Sequence, residues 1–145
     1  MSSFFNIPIK LKFKRFRKKV TFSNQPELSF NVGIKANSAY LKATGSGRLS
    51  SSHLEAARKV LRRKLRKSGI IHAHVFPLTS ITKKPLAVRM GKGRGAVDSW
   101  IFPIRPGRVI FEISNAPTML GAEALSMAKK KLPVSCRVVL NNSII

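Results

Sequence analysis

The chain has 145 residues and 43% hydrophobic content, enough for one domain with a real core, and its 28 Lys and Arg against 5 Asp and Glu give a formal net charge of +23. That excess argues against a carboxylate-based active site and for a polyanionic partner that neutralises the cations, nucleic acid ahead of an anionic membrane surface. No window approaches the roughly 20 consecutive apolar residues of a spanning helix, so no membrane insertion is expected, and the single Cys136 excludes an internal disulfide framework and fits a reducing compartment.

In chain order, the expectation is a basic N-terminal extension over residues 1–22 and a single domain over residues 23–145. In the extension, Lys10, Lys12, Lys14, Arg15, Arg17, Lys18 and Lys19 are interleaved with Leu11, Phe13 and Phe16. Such a segment cannot build a core alone, and it reads as an arm that orders on RNA through phosphate pairing and base stacking. Its Ser, Lys and Arg excess is also that of an organelle transit peptide, but the chain still starts at Met1, which gives no sign of removal.

Residues 28–34 and 38–41 carry strand patterns, and the second ends at a Gly45-Ser46-Gly47 turn that presents Arg48. A helix follows. Ser52 and Glu55 have the spacing of a capping box, Leu54, Ala57, Leu61 and Leu65 mark one apolar face, and Gly69 is the expected stop. The remaining faces carry Arg58, Lys59, Arg62, Arg63, Lys64, Arg66 and Lys67. A narrow stripe of Leu and Ala suits docking on a core rather than lying in a membrane surface, so the helix should pack inward and present charge outward.

A strand is expected over residues 70–76, a loop over 82–85, a short apolar stretch at 86–88, and then a glycine-rich loop. Two strands at 99–104 and 108–113 flank Arg105-Pro106-Gly107-Arg108, where Pro then Gly suits a type II turn and predicts a hairpin. A second helix is expected over 118–131, stopped by Pro133, with a closing strand at 134–140.

The segment 83–95 is the most informative. Lys83, Lys84, Arg89, Lys92 and Arg94 share thirteen residues with Gly91, Gly93 and Gly95 and no acid. Glycine lets a backbone come close to a ligand, and the alternation leaves the cations free to reach outward, the composition of a loop that lies against phosphate. It is neither a dinucleotide fingerprint nor a phosphate-binding loop, since no helix start or Gly-Lys-Ser/Thr ending follows.

No catalytic site, metal or cofactor is expected. Glu27, Glu55, Asp98, Glu112 and Glu123 are scattered singly, with Glu55 assigned to a cap and Glu112 to a hairpin strand beside Arg108. His72 and His74 share one face of a strand, but no further ligand pair accompanies them, so they read as a face touching RNA or solvent; Cys136 reads as a small apolar strand residue.

The run Lys84-Pro85-Leu86-Ala87-Val88-Arg89-Met90-Gly91-Lys92-Gly93-Arg94-Gly95 resembles the signature of the large-subunit ribosomal protein family called L sixteen in bacteria. Supporting segments follow the family's order: Gly47-Arg48-Leu49, His53-Leu54-Glu55-Ala56-Ala57-Arg58, Val75-Phe76-Pro77, Trp100, Pro106-Gly107-Arg108-Val109-Ile110-Phe111-Glu112, Ala128 and Lys131-Leu132-Pro133. The resemblance implies a hammerhead-like α+β domain with two main helices and antiparallel or mixed strands. It also implies binding to large-subunit rRNA beside the peptidyl transferase region and help in positioning A-site and P-site tRNA.

On that reading the rRNA-binding residues are Lys10, Lys12, Lys14, Arg15, Arg17, Lys18, Lys19, Arg48, Arg58, Lys59, Arg62, Arg63 and Arg66. The tRNA-proximal loop holds Lys83, Lys84, Arg89, Met90, Gly91, Lys92, Gly93, Arg94 and Gly95, with Arg89 at the position hydroxylated in some bacterial members. Partners are large-subunit rRNA, tRNA and neighbouring ribosomal proteins, with no homo-oligomer expected. The tail departs from the family where Phe16-Arg17-Lys18-Lys19 gives way to Val20-Thr21-Phe22-Ser23-Asn24, and residues 141–145 match no family pattern. This divergence, the retained Met1 and the Phe-, Ile-, Ser- and Asn-rich composition point to a mitochondrial ribosome ahead of a plastid or bacterial one. The competing readings are a general RNA chaperone or nucleic-acid-compacting protein and, more weakly, a nucleotide-dependent enzyme using residues 91–95.

Overall fold

The computed structural model describes residues 38–141, so the basic extension, the strand expected at 28–34 and residues 142–145 lie outside the described part. Within it the order is β1 (Ser38–Ala43), β2 (Gly47–Ser50), α1 (Ser51–Leu65), β3 (Ile70–Ala73), β4 (Thr79–Lys83), β5 (Ala96–Ile104), β6 (Val109–Ser114), α2 (Thr118–Lys129) and β7 (Cys136–Asn141). Every strand pair is antiparallel, in a four-stranded sheet ordered β3-β6-β1-β7 and a three-stranded sheet ordered β2-β5-β4. This is the α+β class that the resemblance implied, with two helices.

The core lies where one face of the four-stranded sheet meets both helices. Ala39, Leu41 and Ala43 of β1 and Phe111 and Ile113 of β6 point there by the two-residue period of a strand, and Leu54, Ala57, Leu61 and Leu65 meet them by the helical period of α1. All four of those α1 residues are buried, as the stripe predicted. Each buried Leu contributes roughly 1.5–3 kcal/mol by removal from water. α2 packs on α1, β1 and β7, and Gly121 allows it to come close, since a Cβ there would sit 3.4 Å from that of Ala39.

Several boundaries differ from the sequence expectation. The N-cap of α1 is Ser50 rather than Ser52: its Oγ accepts from the His53 N–H at 3.4 Å, and its own N–H donates to His53 Nδ1 at 3.3 Å. Glu55 therefore does not cap. The helix turns off at Arg66, whose φ is 53° and whose N–H donates to the Arg62 carbonyl, so Gly69 is not the stop; it lies before β3, against Ala116. The strand expected at 70–76 ends at Ala73, and α2 stops at Lys129, two residues early.

The largest correction concerns the hairpin. Gly107 has φ 94° and the Arg108 N–H reaches the Arg105 carbonyl at 3.4 Å, as a type II turn requires. The strands on either side nevertheless part: β5 runs between β2 and β4, whereas β6 runs between β3 and β1 in the other sheet. The turn is a corner between sheets.

Candidate nucleic-acid interface

The outward surface of α1 follows directly from its inward one. With the apolar stripe buried, Lys59, Arg62, Arg63, Arg66 and Lys67 are exposed. Arg62, Arg63 and Lys64 fall in the last turn, where positive charge also favours the negative end of the helix dipole. Arg58 and Lys64 pair with carboxylates within the fold. Arg58 makes a forked pair with Glu55, with Nε to Oε2 and Nη2 to Oε1 both 2.8 Å, and Lys64 reaches Glu123 of α2 at 2.7 Å. The hydrogen bond from Arg58 is the main reason that the Glu55 carboxyl is held below the usual glutamate range. RNA would have to compete with Glu55 for Arg58. Arg48 is exposed on β2, two residues before the cap.

The glycine-rich segment sits on a device that sequence reasoning missed. Residues 79–83, Thr-Ser-Ile-Thr-Lys, form β4 and pair with β5, so the segment is the closed loop of a β4–β5 hairpin rather than a connection between unpaired stretches. β2 pairs with β5 only from Ile101 to Ile104. From Ala96 to Trp100, β5 has β4 alone beside it among the described residues, so a two-stranded ribbon about 17 Å long extends past the sheet. Enrichment in Thr and Ile was the available signal for β4.

At the end of that ribbon every residue from Pro85 to Arg94 is exposed. The Val88 N–H donates to the Pro85 carbonyl at 3.2 Å, and Lys84 Nζ donates across the loop to the Gly91 carbonyl. Gly91, Lys92 and Gly93 have φ of 96°, 49° and 88°, a consecutive left-handed run that two glycines make affordable. Gly95 is needed for a different reason: a Cβ there would lie 2.3 Å from the Lys83 carbonyl oxygen. Glycine thus both shapes the tip and closes the base. Leu86 at 103% and Met90 at 94% exposure share the tip with Arg89, Lys92 and Arg94. Cations for phosphate and apolar side chains for base or sugar faces are what a contact with folded RNA uses.

The remaining chemistry is committed to structure. Glu112, beneath the surface of the central strand β6, receives His74 Nε2 at 2.7 Å, and the Arg108 guanidinium lies over the Phe102 ring at 5.9 Å. His72 is the register partner of Glu112, and the His74 N–H, just past the end of β3, continues the pairing to the Ile110 carbonyl at 3.0 Å. Cys136 is buried in β7, where desolvation pushes its thiol up to about 11. Among the described residues no cluster of His, Cys, Asp and Glu suits a metal, and no helix is long and apolar enough to cross a membrane. Lys10, Lys12, Lys14, Arg15, Arg17, Lys18 and Lys19 lie outside the described residues.

Residues 9–139 match the family model of ribosomal protein L16p/L10e, a span that takes in both sheets, both helices and the projecting loop. The chain belongs to that family, whose role is structural, in the large ribosomal subunit.

Proposed function

We propose that this L16p/L10e family member binds large-subunit rRNA beside the peptidyl transferase region and carries the 84–95 loop towards tRNA in the A and P sites. The observation that carries this reading is the projecting ribbon: it holds a fully exposed tip of cations, glycines and apolar side chains beyond the sheet that anchors it. Division of labour follows. Lys59, Arg62, Arg63 and Arg66 of α1, with Arg48 and the basic extension, neutralise rRNA phosphates and release counterions. The core fixes the direction of the ribbon, and the loop meets the tRNA, while RNA performs the chemistry of peptide transfer. Arg89 is exposed and open to the side-chain hydroxylation that the resemblance implies for some bacterial members.

The compartment read from composition is the mitochondrial matrix, with plastid and bacterial ribosomes as competing sites that the sequence of crosslinked rRNA would distinguish. The testing experiment separates anchoring from tRNA contact. Arg89→Ala should leave the yield of large subunits near that of the wild type while lowering tRNA occupancy and translation by those subunits. Arg62→Gln/Arg63→Gln/Arg66→Gln should reduce incorporation first. Loss of subunits with normal translation by the remainder in Arg89→Ala would refute the division.

A further inference from the structure

The outer edge of the four-stranded sheet carries a second concentration of positive charge, separate from α1 and the loop. Lys42 and Arg137 are register partners across β1 and β7, so their side chains leave the same face with Cβ atoms about 4.5–5.5 Å apart. One step along, Ala43 faces Cys136. The Arg105–Arg108 corner is tied to Ala43 in both directions, by Ala43 N–H to the Arg108 carbonyl and Gly107 N–H to the Ala43 carbonyl, each 2.8 Å, which brings exposed Arg105 to this end of the sheet. From the helical side, Lys129, Lys130 and Lys131 are exposed at the end of α2, and Lys129 is near enough to act electrostatically on the Cys136 thiol.

None of these cations is in an ion pair with a carboxylate among the described residues, whereas α1 sets Glu55 against Arg58 and Glu123 against Lys64. Like charges directly opposed across a strand pair are destabilising, and among the described residues neither Lys42 nor Arg137 has an acid as register partner. Among the described residues β7 is also the outermost strand, so helix side and outer face meet along its edge. These Lys and Arg gather at one end of the β1–β7 pair, where Arg137 is the one cation of β7 and Lys42 the one of β1, and a cluster of cations with no acid as register partner suits the phosphate oxygens of an RNA backbone.

We propose that Lys42, Arg105, Lys129, Lys130, Lys131 and Arg137 form a second phosphate-binding surface, wrapped round the β7 edge, that holds a stretch of large-subunit rRNA backbone distinct from the one taken by α1. This inference rests on the ribosomal reading above. The surface positions the protein without reading sequence, and with α1 it grips rRNA at two places, which restrains how the protein sits on the RNA.

The test is equilibrium binding of the full chain to a transcript of large-subunit rRNA across a salt series. Lys130→Gln/Lys131→Gln/Arg137→Gln should lower the slope of log affinity against log salt by about 2 to 3. Lys130→Gln/Lys131→Gln alone, which leaves the strand pair untouched, should lower it by about 1.5, and Arg137→Lys should leave it unchanged. The edge and α1 variants should add when combined, as independent surfaces do. Failure of the wild-type chain to prefer this transcript over unrelated RNA would overturn the ribosomal reading itself. Normal wild-type binding, a weakened α1 variant and an unchanged slope in both edge variants would overturn the second surface alone. Loss of a neighbouring ribosomal protein from subunits carrying an edge variant, with the slope unchanged, would assign the edge to an acidic protein and also overturn it.

Discussion

Gly95→Ala isolates the role of the ribbon base from the chemistry of the tip. A Cβ at position 95 would meet the Lys83 carbonyl oxygen at 2.3 Å, the Lys83 carbonyl carbon at 2.7 Å and the Lys84 nitrogen at 2.9 Å, all backbone atoms that no rotamer change can move aside. Ordinary contact lies near 3.5 Å, so the two strands must separate by about 1 Å at this point. The first casualty is the Lys83–Ala96 pair that closes the ladder. Losing one or two ladder hydrogen bonds costs about 1–3 kcal/mol, felt locally because the core lies at the other end of the ribbon. Amide exchange should therefore accelerate at Lys83 and Ala96 by roughly ten- to hundredfold, with the core amides and thermal midpoint little changed. Translation by subunits carrying the variant should fall although every cation remains. Gly93→Ala is the control: nothing lies within 4 Å of a Cβ there, but φ is 88°, so it strains the tip without opening the base. Wild-type exchange at Lys83 and Ala96 in Gly95→Ala would refute the steric argument.

Three further outcomes follow from the same geometry. Ser50→Ala should lower stability by about 0.5–2 kcal/mol in thermal or urea unfolding, and Ser52→Ala by less, because Ser50 holds the cap; the reverse order would restore the Ser52 cap. The Arg58 hydrogen bond depresses the Glu55 carboxyl, so the stability it contributes is present above the unfolded-state value and is lost as pH falls from about 5 through the lower folded value. The stability difference between wild type and Glu55→Gln should shrink over that window, and a difference independent of pH would contradict the pairing. With its thiol at about 11 and buried, Cys136 should resist alkylation at pH 8 in the folded chain and react as the chain unfolds, so rapid labelling of native protein would contradict its placement.

The sequence carried the core more faithfully than the connections between its parts. The stripe Leu54, Ala57, Leu61 and Leu65 named the buried face of α1, because a helical period leaves few other ways to exclude those side chains from water. The cap was misplaced because Ser52 and Glu55 satisfy the familiar spacing, whereas the real box uses His53 Nδ1 as the reciprocal acceptor, a role the residue pattern does not advertise. The Pro106-Gly107 turn was legible, but the partners of β5 and β6 were not: turn chemistry is local, while pairing depends on which strands compete for each edge. The glycine loop was recognisable by composition, yet its projection depended on β4, whose five residues show little apolar alternation. Lys42 and Arg137, far apart in sequence, become neighbours only through the β1–β7 register.

The central claim is that the chain works within the large subunit and points its loop at tRNA. It is tested most directly by crosslinking the tagged protein to RNA in cells, sedimenting the extract and sequencing the fragments attached to each peptide. The account predicts sedimentation with the large subunit, α1 peptides joined to rRNA near the peptidyl transferase region, and peptides from residues 83–95 joined to tRNA. Diffuse crosslinks to many RNAs, in fractions away from ribosomal particles, would contradict it and leave a general nucleic-acid binder.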